Sequence, residues 1–185
     1  QTEGSWTNVG ELRIGNGLGK VDMGPMVSER ERDRYERILG RAIQQGAKVA
    51  CGGGRPAGLN RGWFTDATVL TGVAADMEIV NDESFGPVAP IVKVRDLDEA
   101  IELANRSRFG LGANIYTKDL SEAMRAVNEI QSGMVWVNVP LLDNDAVPFG
   151  VAVATLRDVL AELRAWVTHP AHGKPWNAAP GAIQL

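Results

Sequence analysis

The chain has 185 residues, 44% of them hydrophobic and 23% charged, with a formal net charge of -4; that length suits one domain or a large piece of one, able to bury roughly 70% of its unfolded surface. A nucleic-acid partner is not indicated: the densest basic run, Arg30, Arg32, Arg34 and Arg37, alternates with Glu29, Glu31, Asp33 and Glu36 and reads as a solvated helix face. A membrane partner is not indicated either, since no apolar run approaches the roughly 20 residues of a span and the opening QTEGSWTN has no signal-peptide character. After a lead-in of residues 1–24, residues 27–46 predict the clearest helix: Ser28 and Glu31 form a capping box, and Tyr35, Ile38, Leu39, Ala42 and Ile43 recur on one face. Gly46 stands where that helix should stop. Strands are predicted over 48–51, 63–70 and 88–94, the last with Pro90 as a sign of an edge, a bulge or a first turn. Leu97, Ala100, Ile101 and Ala104 then give a helical stripe, 113–117 a strand, Leu120, Ala123, Met124 and Val127 a second stripe, and 134–138 a further strand. This alternation predicts an α/β class with right-handed crossover helices and a mostly parallel sheet over residues 25–150. Beyond a boundary at Gly150, residues 151–168 read as an amphipathic helix and 169–185 as irregular chain.

Several stretches invite a chemical reading. Gly15-Asn16-Gly17-Leu18-Gly19-Lys20 looks like a phosphate cradle, but it has the spacing of neither a P-loop nor a dinucleotide fingerprint, and no helix is predicted to follow it, so a turn is expected. Cys51 is the one cysteine, which excludes an internal disulfide framework and a multi-cysteine zinc site and fits a reducing, cytoplasmic compartment. It ends an apolar strand, both histidines lie far along the chain, and a small buried core residue is expected rather than a nucleophile. His169 and His172 have H-x-x-H spacing, but Pro170 and the lack of a third ligand argue against a metal site. The sequon Asn105-Arg106-Ser107 is read as accidental. Starting on Gln rather than Met is what processing or an incomplete reading frame would leave.

The stretch N-D-E-S-F-G-P-V, residues 81–88, sets two carboxylates and an aromatic before a rigid Gly-Pro step. A carboxylate can accept both hydroxyls of a ribose diol, and Phe85 can pack against a sugar or a nicotinamide ring. On composition alone, an ordinary turn with solvated acids and a buried Phe is the favoured reading of the stretch.

Ordered motifs decide the matter. D-M-G-P (22–25), G-A-K-V-A-C-G-G-G (46–54), G-W-F-T-D-A-T-V-L (62–70), E-S-F-G-P-V (83–88), A-N-R-S-R-F-G-L (104–111), G-M-V-W-V-N (133–138) and P-F-G (148–150) together resemble the C-terminal part of the aldehyde dehydrogenase superfamily. The stretch N-V-P-L-L-D-N-D-A-V-P-F-G is similar to benzaldehyde, vanillin and betaine aldehyde dehydrogenases. The resemblance implies part of an α/β catalytic domain of an NAD- or NADP-dependent oxidoreductase. In that family a cysteine thiolate attacks the aldehyde, hydride passes to the cofactor, and a glutamate-activated water releases the acid. It further implies that Glu83 holds the nicotinamide ribose hydroxyls, that Phe85 flanks the nicotinamide, that Phe149 and residues 139–147 line the aldehyde tunnel, and that Asn138 shapes the pocket floor.

The same resemblance places the family's nucleophile, oxyanion asparagine, general base and dinucleotide-binding fold before the first residue of this chain, with Cys51 at a non-catalytic position. No catalytic residue and no metal ligand are therefore assigned, and the chain alone is expected to bind NAD(P)+ weakly or not at all. After P-F-G the family's K-x-S-G-x-G-R-E segment gives way to V-A-V-A-T-L-R-D-V-L-A-E-L-R, as a shifted frame in a GC-rich gene would produce. Three roles remain open: part of an enzyme completed by a separate chain, a non-catalytic module in a homo-oligomer or on a full-length relative, and a decayed gene product.

Overall fold

The computed structural model describes residues 7–139, so the Gly150 boundary, the 151–168 helix, the 169–185 tail, Phe149 and both histidines lie outside the described residues. Those described fall into two compact units, divided between Arg95 and Asp96.

The first unit opens with a single turn of helix, α1 (Thr7–Gly10), and is dominated by α2 (Glu29–Gln44). Ser28 caps α2, its hydroxyl accepting from the Glu31 amide at 3.3 Å. The helix ends in a Schellman arrangement: Gly46 N–H donates to the Ile43 carbonyl and Ala47 N–H to the Ala42 carbonyl, both at 3.0 Å, with Gly46 at φ 107°. Its apolar stripe, Tyr35, Ile38, Leu39 and Ala42, packs on Ala47, Leu70, Val73, Met77 and Ile79, and this cluster is the core of the unit. Each large apolar side chain so buried contributes about 1.5–3 kcal/mol.

Three strands form one sheet in the order β1-β2-β3: β1 (Lys48–Cys51), β2 (Thr68–Val73) and β3 (Val88–Val92). β2 runs parallel to β3 across the four-residue helix α3 (Glu78–Asn81), and antiparallel to β1, from which it is separated by a loop without a helix. Among the described residues β3 is an edge strand, which accommodates Pro90 opposite Leu70. The strand expected over 63–70 in fact begins at Thr68 and runs on to Val73. Residues 63–67 are held by the glycine loop instead: Asp66 N–H donates to the Gly54 carbonyl at 2.9 Å, and Gly52, at φ 71°, lies so close to the Ala67 carbonyl that a Cβ would overlap it. Aromatic and apolar composition there marks the burial of Phe64 and Thr65 rather than a ladder.

The charge pattern of α2 also departs from the expected solvated face. Arg32 is buried, lies over the Trp63 ring at 5.3 Å, and is flanked by Glu29, Asp33 and Glu36. Stacking on an indole lets a guanidinium shed water while keeping its charge compensated. Glu36 in turn receives both Arg55 Nε and Nη2 at 2.6 Å, which holds its carboxyl below the ordinary range.

The second unit is a short helix followed by a strand–helix–strand block: α4 (Leu97–Asn105), β4 (Gly112–Ile115), α5 (Leu120–Glu129) and β5 (Met134–Val137), with β4 and β5 parallel and in register from Gly112 opposite Met134 to Ile115 opposite Val137. Asp96 and Asp119 cap the two helices, accepting from Glu99 N–H and from Ser121 and Glu122 N–H. Asn105 joins the helix ends, donating to the Glu129 carbonyl at 2.8 Å and accepting from Gln131 N–H at 2.7 Å. Among the described residues no helix is long and apolar enough to cross a membrane.

Thr68 is the hub of the first unit. Its Oγ1 accepts from the Tyr35 hydroxyl and from Gly53 N–H, each at 3.0 Å, and donates to the Asp66 carbonyl at 3.1 Å. Replacing Thr68 by the isosteric Val removes this acceptor from the buried Tyr35 hydroxyl and the half-buried Gly53 N–H, and urea unfolding of T68V should show a loss of about 1–3 kcal/mol.

Candidate functional site

Residues 82–87 bridge α3 and β3 and carry the acidic-aromatic motif. Asn81 Nδ2 fastens the helix end to the Ala75 and Met77 carbonyls at 2.9 and 3.0 Å. From α2, the Arg34 guanidinium then reaches two successive carbonyls, Glu83 O at 2.7 Å and Ser84 O at 3.1 Å. Gly86 presses flat on the Tyr35 ring, where any Cβ would overlap it, and the Pro87 carbonyl accepts from Thr68 N–H at 2.8 Å. Between these anchors Phe85 is forced to φ 49°, a conformation costing a bulky residue about 1–3 kcal/mol. The Phe85 side chain is 68% exposed, not buried as an ordinary turn would have it, and Glu83 is exposed beside it. A large ring held out in water by a strained backbone is an arrangement that packing alone does not explain.

An open groove of about 550 Å³ runs along this loop, with Glu83, Phe85 and Pro87 on one side, Met23, Pro25 and Met26 on the other, and Thr65 in the lining. The far wall is tied to the unit by Met26 N–H donating to the Trp63 carbonyl at 2.9 Å. Its approach is fixed by a fork between Arg13 and Asp22, Nε to Oδ2 at 2.9 Å and Nη2 to Oδ1 at 2.8 Å. Those hydrogen bonds hold the Asp22 carboxyl well below the usual carboxylate range. The glycine-rich stretch between them is a turn, as its spacing predicts: Asn16 Oδ1 accepts from Leu18 N–H and the Asn16 carbonyl from Gly19 N–H.

The other sequence-derived candidates lie elsewhere. Cys51 is half-buried rather than a core residue, because β1 loses register at its end and the sulfur comes to rest in a separate groove with Gly10, Leu12 and Ile14. Asn138, in the second unit, adopts φ 55° and pairs its amide with Thr117, Nδ2 donating to Thr117 O at 2.7 Å and Oδ1 accepting from Thr117 N–H at 2.9 Å. Its side chain thus shapes the end of the β4–β5 pair. Phe149 lies outside the described residues. Among the described residues no cluster of three or more His, Cys, Asp or Glu is placed to hold a metal ion. Sequence reasoning missed Arg34, Tyr35 and Gly86 as the parts that present the motif. Of these, Gly86 directly after an aromatic and before a proline was the readable signal.

This α/β architecture has counterparts among solved dehydrogenase structures. The NAD+ complex of aldehyde dehydrogenase from Bacillus cereus has a TM-score of 0.75 and 35% sequence identity, covering 80% of this chain and 30% of that one. Betaine aldehyde dehydrogenase from Staphylococcus aureus in complex with NAD+ has a TM-score of 0.74 and 32% identity, covering 82% and 33%. The chain belongs to the aldehyde dehydrogenase family, whose profile matches residues 3–151. It is 41% identical over 143 residues to betaine aldehyde dehydrogenase from Mesorhizobium japonicum, covering 76% of this chain and 29% of that protein. It is 43% identical over 145 residues to an aldehyde dehydrogenase from Paenarthrobacter nicotinovorans, covering 78% and 31%. The chain therefore spans about a third or less of the length of these relatives.

The Arg13–Asp22 fork makes the approach to the groove pH-sensitive. A carboxyl whose folded ionisation is depressed contributes order that is complete above its unfolded pKa, about 4, and is lost as pH falls through the folded value. Amide exchange at Gly15, which donates to the Met23 carbonyl, should accelerate between pH 4 and the acid limit beyond the intrinsic trend, and D22N should show the faster exchange already at neutral pH.

Proposed function

We propose that this chain supplies the cofactor-ribose carboxylate and part of the substrate wall of an NAD(P)+-dependent aldehyde dehydrogenase site. In this reading Glu83 accepts the two hydroxyls of the nicotinamide ribose, Phe85 flanks the nicotinamide ring, and Asn138, Phe149 and residues 139–147 contribute to the aldehyde pocket. What carries the reading is the pairing of an exposed carboxylate with an aromatic ring that a clamped, strained backbone holds out along an open groove. Oxygens at Glu83 suit a vicinal diol, and the exposed ring offers a face for a flat heterocycle. The bound dinucleotide would accept the hydride. The groove's own residues would bind and orient it, and in this reading the attack on the aldehyde belongs to a nucleophile outside the described residues; the place of Cys51 in another groove supports that assignment. Isolated binding of NAD(P)+ is correspondingly weak, since one ribose contact offsets little of the entropy of holding a dinucleotide. A cytoplasmic location suits the lone, half-buried cysteine.

The test is complementation. Combining the chain, as a fusion or a mixture, with the nucleophile- and dinucleotide-bearing segment of a family relative should give aldehyde-dependent NADH formation. E83Q should then raise the KM for NAD+ by about 10–100-fold, the loss of a charge-assisted hydrogen bond, while C51S leaves turnover unchanged. Turnover by the isolated chain that C51S abolishes would defeat the reading.

A second reading, a non-catalytic module that pairs with copies of itself or with full-length relatives, draws on the second unit. β5 is apolar along its whole length yet only half-buried, and Phe109, Tyr116, Leu120 and Met124 are exposed nearby in sequence. Size-exclusion chromatography with light scattering should show a species larger than 19.9 kDa, and a strict monomer at all concentrations would eliminate this role.

A further inference from the structure

We propose that Arg34 is the positioning residue of the cofactor-facing loop, acting through the backbone of Glu83 and Ser84 rather than by touching the ligand; the cofactor part of this inference rests on the function proposed above. Other arginines around α2 pair with carboxylates: Arg41 with Glu78, Arg55 with Glu36, and Arg32 with Glu29, Asp33 and Glu36. Arg34 instead spends both terminal nitrogens on main-chain oxygens some 50 residues along the chain, at 3.1 and 2.7 Å. Those two carbonyls immediately precede the one residue of the loop with a strained φ, Phe85 at 49°.

The far side of Phe85 is fixed independently, by the contact of Gly86 with Tyr35 and by the Pro87 carbonyl on Thr68 N–H. With one side locked by packing, the loop needs a second anchor on the other side to stop Phe85 from relaxing into an ordinary extended conformation, in which the ring would turn away from the groove. The Arg34 fork is that anchor. Its planar geometry spans two successive carbonyls, which the single ammonium of a lysine can do only in part. Because the guanidinium is committed to the backbone, the Glu83 carboxylate is left facing solvent and available to a diol. Arg34 therefore sets how much of the loop's order exists before a ligand arrives, and so how much ordering entropy binding has to supply.

The experiment uses the full chain, labelled for NMR, as wild type, R34A, R34K and E83Q. Backbone order at Phe85 and Gly86, the strong intraresidue amide–Hα cross-peak of a positive-φ residue, and the shifts produced by millimolar nicotinamide mononucleotide are read on each. In R34A the order parameters at Phe85 and Gly86 should fall from about 0.85 to below about 0.6, the positive-φ signature should vanish, and the mononucleotide should bind about 10-fold more weakly, while β2 amides stay unchanged. R34K should recover part of both effects. E83Q should abolish the mononucleotide shifts and leave the loop ordered. A Phe85 that remains ordered in R34A, with mononucleotide binding as in wild type, overturns the role of Arg34 and leaves that of Glu83 standing. Mononucleotide shifts that persist in E83Q overturn the ribose role of Glu83, while a loop loosened in R34A still upholds the clamp, so the two ideas fail separately.

Discussion

The contact between the Tyr35 ring and the bare backbone of Gly86 is the constraint from which the first unit takes its form. Tyr35 is fully buried, its ring filling the space where a side chain at Gly86 would have stood, and its hydroxyl donates to Thr68 at 3.0 Å. One residue of α2 thereby fixes the height of the loop before β3, the start of β2, and, through Gly53 N–H on the same Thr68 oxygen, the exit of β1. Burial raises the phenol's pKa, so the hydroxyl remains a donor throughout the range in which the protein would work. The loop that carries Glu83 and Phe85 is in effect an outgrowth of the core.

That arrangement ties the shape of the groove to the stability of the unit. The strain at Phe85 is sustained by neighbours that also hold the sheet, so changes in the packing of Tyr35 reach the groove without touching any group that faces it. The groove's other wall is fastened differently, by the Trp63 carbonyl and by the exposed Arg13–Asp22 fork. The two walls therefore respond to different disturbances: one to core substitutions, the other to acid and salt.

Much of this was legible in the sequence, for reasons that can be given residue by residue. The 3.6-residue stripe of α2, its Ser28 cap and its Gly46 stop are local signals, and the helix follows them. The parallel pairs β2–β3 and β4–β5 follow from connections that pass through a helix. The antiparallel β1–β2 pair was less accessible, because its connection has no helix and its glycines are shaped by the Ala67 carbonyl, a contact between segments distant in sequence. Arg32 was misread as solvated for a similar reason: helical charge periodicity cannot reveal that Trp63, 31 positions later, comes to cover it. The motif around Glu83 was visible as a string, whereas its presentation depends on Arg34 and Tyr35, which nothing nearby in sequence announces.

Asn138 shows how finely such geometry discriminates. Its amide pairs with Thr117 as one peptide group pairs with another, so the chain leaves the ladder while the hydrogen bonding continues for one more rung. An aspartate there would match it in size and shape, yet it would set a negative oxygen against the Thr117 carbonyl in place of a proton donor. The slow chemical ageing that turns asparagine into aspartate would thus be felt at this corner as repulsion, and the end of β5 would part from β4 without the loss of a single carbon atom.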